Sequence, residues 1–287
     1  MNQEQKQLLD ILDHEWGTIG PKSLEAGKAL ASYCGLQYGL TLFSASAAFE
    51  AALRGQNIGY GDQVIVAAYG DPLESMTTAL VGATPVFADI DPETFTLTAE
   101  TAAAKVTAYT RAIIMGLQAG KTAHVKAVAE LCREKGVLLI LNLDDAFGAD
   151  VEGEPAAKFA DLSIINLEQG KLLDAGLAGA IVCESEEVFQ QCFSIHNCGR
   201  PLGAGSTLSF DQVLGSDLRI AEWQASLIGG RLEQYDADWK AGKRSENGYV
   251  LMYNQPVWNS DYYKKQTGSL LEYADADYPN SIKAAEK

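Results

Sequence analysis

The sequence predicts an α/β fold in which a mostly parallel sheet lies between helices. Short segments of almost continuous apolar character, such as 64–67, 85–88 and 112–115, alternate with segments of helical periodicity. Strands without alternating polar positions are typical of parallel sheets that are covered on both faces. The chain has 287 residues, which is long enough to bury a large core.

Composition and charge narrow the class of protein. Hydrophobic residues make up 47% of the chain and charged residues 21%, as in ordinary globular domains. The net charge of −16 disfavours nucleic-acid binding, which needs basic surfaces. The N-terminus has no apolar signal region and no segment reaches membrane length, so a cytoplasmic location is expected. Five scattered cysteines and three histidines show no metal-ligand spacing, so no metal site is predicted.

The N-terminal part predicts two helices, a strand and a third helix. Residues 1–35 are expected to be helical, with the second helix beginning near Ser23. A strand at 38–43 leads into a small-residue helix with Ser44 and Ser46 at its start. The backbone N–H groups and the positive dipole end of such a helix suit a phosphate. Ordinary N-cap serines are the alternative, and these residues alone favour it.

The middle of the chain predicts the alternating series, and the end of the chain is largely helical. Helices are expected at 72–81, 99–106, 125–135 and 186–196, and further strands at 137–141, 162–165 and 180–183. A Gly-rich connection through Gly205, a long helical segment over 218–253 and a poorly periodic stretch from Gln255 follow. Ligands of such sheets bind beyond the carboxyl ends of the strands. The polar residues at those ends are Ser44, Ser46, Asp71, Asn142, Asp144, Asp145, Asn166 and Lys171.

Lys171 lies between two apolar strands and is followed by a bend rich in glycine and alanine. A lysine that is held and desolvated there would have a lowered pKa, which favours Schiff-base chemistry. A surface lysine on a hairpin turn is the alternative, and this stretch alone favours that alternative.

The sequence contains no Gly-x-Gly-x-x-Gly or Walker-type loop, so the usual motifs of dinucleotide and nucleoside-triphosphate binding are absent.

Several segments resemble the DegT–DnrJ–StrS family of sugar aminotransferases, which depend on pyridoxal 5'-phosphate (PLP). The matching segments are 43–48, 61–66, 82–92, Gly148-Ala149 and 215–225, and the resemblance spans residues 25–240 in one register. It implies a PLP-dependent transferase fold of the aspartate-aminotransferase type (fold type I). It also implies a large PLP-binding domain over 1–235 and an abridged small C-terminal domain over 236–287.

The resemblance further implies the activity and the site. Lys171 matches the Schiff-base lysine that holds PLP. The cofactor contacts implied are Ala45, Ser46, Asp71, Asn142, Asp145 and Asn166, with Asp217 contributed from the second subunit of a homodimer. The implied reaction aminates a nucleotide-linked keto-sugar in polysaccharide or amino-sugar biosynthesis, with glutamate or glutamine as amino donor. Neither nucleic acid nor a membrane is an expected partner.

Several of these positions depart from the family pattern. Asn142 replaces the aspartate that pairs with the pyridine nitrogen of PLP, Asp145 replaces a glutamine or histidine, and Asp71 replaces the aromatic residue that stacks on the ring. Asp217 replaces an asparagine that reaches the phosphate. Two like charges ~4 Å apart repel by on the order of 4 kcal/mol at an effective dielectric near 20, which is about a thousandfold in affinity.

Three functions are compatible with these residues. The first is the PLP-dependent sugar aminotransferase that the resemblance implies. The second is a catalytically degenerate paralogue that keeps the fold and the dimer surface as a binding or scaffolding partner, which the pocket departures favour. The third is an enzyme without PLP, based on Lys171 or on carboxylates, in which Asp71, Asp145 and Asp217 converge on one pocket.

Overall fold

The computed structural model describes residues 1, 3–13, 20–203, 213–245, 248–268, 270–271 and 273–286. The chain forms two compact units, each built from two separate stretches. The first unit comprises Met1–Gln56 and Leu162–Glu246, and the second comprises Asn57–Asp161 and Asn247–Lys287. The boundary between residues 235 and 236 that the family resemblance implies stays a prediction. The predicted connection through Gly205 lies outside the described residues.

The helices and strands of the described residues are numbered in chain order. The helices are α1 (Gln3–Asp13), α2 (Pro21–Tyr33), α3 (Ala45–Gly55), α4 (Pro72–Leu80), α5 (Ala99–Ala103), α6 (Val125–Lys135), α7 (Glu186–His196), α8 (Glu222–Lys240), α9 (Asp261–Thr267) and α10 (Pro279–Ala285). The strands are β1 (Tyr38–Leu42), β2 (Gln63–Ala67), β3 (Tyr69–Gly70), β4 (Thr84–Ala88), β5 (Thr110–Gly116), β6 (Leu138–Asn142), β7 (Asp150–Val151), β8 (Glu154–Pro155), β9 (Leu162–Asn166), β10 (Gly179–Cys183) and β11 (Val250–Leu251).

In the first unit, β10 lies between β1 and β9, and both pairings are antiparallel. These antiparallel pairings are the exception among strands that are, as predicted, mostly parallel. Residues 167–178 join β9 to β10 without a helix, so the chain has no crossover element to return it for a parallel pairing. The apolar character of β9 and β10 reflects burial of every residue, not strand direction. Helix α2 packs on β1, and α3 packs on α7.

In the second unit, the strands follow the order β6, β5, β2, β4, and every neighbouring pair is parallel. This confirms the prediction of a parallel sheet for this part of the chain. Ile65 of β2, Ile113 of β5 and Ile140 of β6 are fully buried. Helices connect successive strands, as parallel pairing requires. The sheet therefore directs the residues that follow β5 and β6 to one edge.

The C-terminal part differs from the sequence expectation in two respects. The long helical segment predicted over 218–253 is only partly helical, because α8 ends at Lys240 and the next turn places Gly242 at a φ of 83°. The stretch from Gln255, predicted to be irregular, contains α9 and α10. Trp258 anchors this region: its indole is fully buried, and its Nε1 donates to the Met252 carbonyl at 2.6 Å. Aromatic packing of this kind has no helical period to reveal it.

Candidate active site

Asn142 lies at the carboxyl end of β6 and is the centre of a buried polar cluster in the second unit. Its Nδ2 donates to Asp71 Oδ2 at 3.1 Å and to Glu74 Oε1 at 2.9 Å. Its Oδ1 accepts a hydrogen bond from the backbone N of Asp144 at 3.1 Å. The amide orientation is fixed, because its nitrogen faces two carboxyl groups and its oxygen faces an N–H. The structure thus brings together Asp71 and Asn142, two of the predicted site residues.

Helix α4 supplies the two acids of this cluster. Asp71 is the N-cap of α4, and its Oδ1 accepts from the backbone N of Leu73 at 2.9 Å. Proline at the first helical position, Pro72, favours a helix start here. Glu74 lies in the first turn of the helix and points inward. Gly116 at the end of β5 leaves room for it, since a Cβ at that position would lie 2.8 Å from Glu74 Oε1.

Glu74 is the member of the cluster that the sequence did not reveal. It is only 2% exposed. Burial raises the pKa of Glu74 well above its usual range, and the negative charges of Asp71 and Asp144 raise it further, opposed by the hydrogen bond from Asn142. A glutamate in the first turn of a helix is common, so nothing local marks Glu74 as buried. Its acid form persists to a higher pH than that of an exposed glutamate.

The same cluster lines a small cavity. Its volume is about 10 Å³, and its walls include Asp71, Glu74, Asn142, Asp144, Asp145, Gln118 and Tyr249. Asp145 is 7% exposed and is brought to this cavity as the strand-end prediction expected. Hydrogen-bond acceptors predominate among these side chains. The cavity is therefore acidic and acceptor-rich.

Lys171 lies in the first unit, in the connection between β9 and β10. Its backbone N donates to the Glu168 carbonyl at 3.1 Å, within a tight turn. Two backbone hydrogen bonds join the two ends of this connection. The Leu167 N donates to the Ala178 carbonyl at 3.0 Å, and the Ala175 N donates to the Leu167 carbonyl at 2.8 Å. The Lys171 side chain is partly exposed. It therefore lacks the full burial that a strongly desolvated lysine would need, because the connection carries it beyond the strand ends.

Glu168 links three of the predicted site residues. Its Oε1 accepts a hydrogen bond from the backbone N of Ala45 at 3.2 Å, in the first turn of α3. Its own backbone N donates to Asn166 Oδ1 at 3.0 Å, and its carbonyl accepts from Lys171. A carboxylate at this position is favoured by the helix dipole. Sequence reasoning missed Glu168 because a polar residue in a turn is unremarkable.

The start of α3 confirms the N-cap interpretation of Ser44. Its Oγ accepts from the backbone N of Ala47 at 3.1 Å and lies 3.0 Å from Ser46 Oγ. Gly179 of β10 lies against this turn, where a Cβ would be 2.4 Å from the Ser44 carbonyl oxygen. Only glycine permits such a close approach of strand and helix. The position of the helix start is therefore fixed by backbone contact.

Asp217 does not present an isolated negative charge. Arg219 binds its carboxylate with two hydrogen bonds, Nε to Oδ1 at 2.7 Å and Nη2 to Oδ2 at 2.8 Å. This bond lowers the pKa of Asp217. The segment runs beside β1, since the backbone N of Phe43 donates to the Leu218 carbonyl at 3.1 Å. Residues two apart in an extended segment point to the same side, so the pairing was readable from the sequence.

Two further properties concern metals and membranes. No group of three or more histidine, cysteine, aspartate or glutamate side chains is arranged to hold a metal ion in the part of the chain that the structure describes. None of the helices formed by those residues has both the length and the apolar character required to cross a bilayer.

The fold is the PLP-dependent transferase fold, which the chain shares with solved aminotransferases. A putative sugar aminotransferase from Streptococcus pneumoniae, solved in its PMP form, superposes with a TM-score of 0.81. The superposition covers 98% of this chain and 87% of that one at 19% sequence identity, so it bears on the fold alone.

The chain belongs to the DegT/DnrJ/EryC1/StrS aminotransferase family, whose model matches residues 1–255. It is 29% identical over 225 residues to the 3-amino-5-hydroxybenzoate synthase of Amycolatopsis mediterranei, a match covering 77% of this chain and 58% of that protein. It is 26% identical over 247 residues to the GDP-perosamine synthase of Caulobacter vibrioides, covering 86% and 66%. The chain thus spans about three fifths of the length of these relatives. The predicted family and its dependence on PLP are confirmed.

The polar residues of the first unit fit PLP. The primary amine of Lys171 suits the aldehyde, and the Ser46 hydroxyl at the start of α3 suits the phosphate. Asn142 in the second unit does not fit the role of charged partner to the ring nitrogen. Both of its amide hydrogens are already donated, to Asp71 and to Glu74, which leaves it only acceptor capacity.

Proposed function

We propose that this protein is a PLP-dependent aminotransferase of the nucleotide-sugar type, with Lys171 as the lysine that binds the cofactor. The observation that carries the proposal is the position of Lys171: it lies in the connection between β9 and β10, five residues after Asn166, within a chain of this family. The proposed substrates are a nucleotide-linked keto-sugar and glutamate or glutamine as amino donor. The GDP-perosamine synthase relative supports a nucleotide-linked substrate.

Each residue of the first unit has a separate role in the proposed reaction. PLP supplies an electron sink for the carbanion formed at the substrate carbon. The Lys171 amine holds the cofactor and moves the proton at that carbon. The Ser46 hydroxyl and the N–H groups of the first turn of α3 would hold the phosphate, and these groups include the Ala45 N–H that donates to Glu168 in this structure. Ser44 keeps its capping role and fixes the helix start.

The remaining implied contacts complete the proposal. Asn166 orients the turn that carries Lys171, through the bond between its Oδ1 and the Glu168 N–H. Asp71 and Asp145 are proposed as neighbours of the ring, and Asn142 as an acceptor for a protonated ring nitrogen. A cytoplasmic homodimer, in which Asp217 is contributed by the second subunit, is part of the same proposal.

Covalent trapping tests the role of Lys171. The protein is incubated with PLP, reduced with borohydride, digested and mapped by mass spectrometry. The expected result is one reduced adduct, on Lys171, that is absent in Lys171→Ala and retained in Lys28→Ala. Lys28 is a suitable control because it is an exposed lysine of the same unit. An adduct distributed over surface lysines, with none enriched at Lys171, would overturn the proposal.

A second candidate function is a degenerate paralogue that acts as a binding or scaffolding partner. It is favoured by Asn142, whose amide hydrogens are engaged with Asp71 and Glu74, so that the family's charged ring partner is missing. This candidate predicts no adduct on Lys171 at saturating PLP together with an intact dimer. Light scattering on the same sample separates it from a protein that has simply unfolded.

A further inference from the structure

Glu74 is a buried acid that contacts the side-chain amide of Asn142. It is 2% exposed, and its Oε1 accepts a hydrogen bond from Asn142 Nδ2 at 2.9 Å. The absence of a side chain at Gly116 leaves room for this oxygen, because a Cβ there would lie 2.8 Å from it. Glutamate is almost never buried this fully unless it is paired. Its position beside a predicted site residue therefore points to a role in that site.

In the free protein, Glu74 is a neutral acid that holds a proton. Burial raises its pKa, and the negative charges of Asp71 and Asp144 raise it further, against the hydrogen bond from Asn142. Asp145 and Tyr249 are the other titratable groups of the cavity that Glu74 lines. Since Oε1 accepts from Asn142, Oε1 is the carbonyl oxygen of the acid and the proton is on Oε2. Such a group ionises when a positive charge forms near it.

Asn142 connects Glu74 to the proposed position of the ring nitrogen. Its Oδ1 accepts from the backbone N of Asp144 at 3.1 Å, and a carbonyl oxygen has a second lone pair for a protonated ring nitrogen. On the other side of the same amide, Nδ2 donates to Glu74. Hydrogen bonds in a chain polarise one another, so a carboxylate at Glu74 makes Asn142 a stronger acceptor.

Asp71 is the competing counter-charge. Its Oδ2 accepts from the same Asn142 nitrogen at 3.1 Å. Its Oδ1 accepts from the Leu73 N–H as the N-cap of α4, however, and the residue is partly exposed. Solvent screens a partly exposed charge more strongly than a buried one. Glu74 is the better candidate because it is buried and has a proton to release.

We propose that Glu74 is a positioning residue that keeps the ring nitrogen of PLP protonated by acting through Asn142. The inference rests on the proposed function and extends it, since Glu74 and Asn142 together take the place of the charged ring partner. The protons balance without another reactant. The O–H bond at Glu74 Oε2 breaks and an N–H bond forms at the ring nitrogen, which leaves a carboxylate and a protonated ring.

The protonation state of the ring nitrogen is a direct readout. PLP labelled with ¹⁵N in the ring is bound to the full chain, and the ¹⁵N chemical shift is followed against pH. The wild type is expected to keep this nitrogen protonated to a pH about 1–2 units higher than Glu74→Gln does. Glu130→Gln, at an exposed acid of α6 in the same unit, should titrate like the wild type. Unfolding midpoints of the same samples show that each variant is folded.

An exchange of the two side chains separates this role from a structural one. Asn142→Asp combined with Glu74→Gln moves the carboxyl to position 142 and should restore the titration of the wild type. A defect caused by lost packing at Glu74 would persist in that double variant. A lowered ring titration in Asp71→Asn, with none in Glu74→Gln, would assign the counter-charge to Asp71 and refute the role of Glu74.

Borohydride trapping on the same samples distinguishes this inference from the proposed function. A reduced adduct on Lys171, together with equal ring titrations in the wild type and Glu74→Gln, would refute the role of Glu74 alone. No adduct on Lys171 in the wild type would refute the proposed function and, with it, the role of Glu74.

Discussion

Gly179→Ala should destabilise the first unit at the start of α3. The added Cβ would lie 2.4 Å from the Ser44 carbonyl oxygen, 2.6 Å from the Ser44 carbonyl carbon and 2.7 Å from the Ala45 Cα. An ordinary contact begins at 3.4 Å, so strand and helix must separate by about 1 Å. All three atoms belong to the backbone and cannot rotate away. We expect a loss of about 3 kcal/mol in the free energy of unfolding, at the upper end for overpacking.

The assay is urea and thermal unfolding of Gly179→Ala beside Gly229→Ala. Gly229 lies within α8, and a Cβ added there would meet no atom of the described residues within 4 Å. Alanine at that position should therefore stabilise the helix by about 0.5–1 kcal/mol. The two variants make the same chemical change with opposite expected signs. A neutral or stabilising Gly179→Ala would refute the close contact between β10 and the start of α3.

Three further variants test charges in the structure. Burial raises the pKa of Glu74, so the free energy of unfolding of the wild type should fall as the pH rises through the pKa of Glu74 in the folded state. Glu74→Gln should not show that loss. Urea midpoints that change with pH in the same way in both proteins would contradict this. Burial lowers the pKa of His196 to about 4, so stability should fall by about 3 kcal/mol as the pH drops from ~6.5 towards 4. His196→Gln should flatten that acid limb, and an unchanged limb would exclude His196 as its cause. Asp217→Asn removes the carboxylate that binds Arg219, and PLP affinity measured by fluorescence titration should rise several-fold. A thousandfold gain in affinity would mean that Arg219 does not offset the Asp217 charge.

The parallel sheet of the second unit was predictable because its strands are apolar and separated by helices of the right length. The antiparallel pairing of β1, β10 and β9 in the first unit could not be predicted from the sequence. Burial of both faces makes β1 and β10 as apolar as parallel strands, and Leu42 pairs with Gly179, far away in the sequence. Periodicity reports burial and carries no information on the direction of a distant partner.

The candidate site was predictable where residues follow strands, as Asn142 does. It was not predictable where helices and turns contribute side chains from elsewhere. Glu74 and Glu168 have ordinary sequence surroundings, and only the fold brings them to Asn142 and to the start of α3. The repulsion expected between Asp217 and a phosphate should be smaller than for an isolated charge, because Arg219 binds the Asp217 carboxylate with two hydrogen bonds.

Binding of PLP at Lys171 is tested most directly by an absorbance titration of the purified protein with PLP. The expected result is a saturable band near the visible edge in the wild type and in Lys28→Ala, which is absent in Lys171→Ala. A wild-type spectrum at saturating PLP that equals the sum of free PLP and protein would contradict a cofactor-binding role for Lys171, and would favour the scaffolding function.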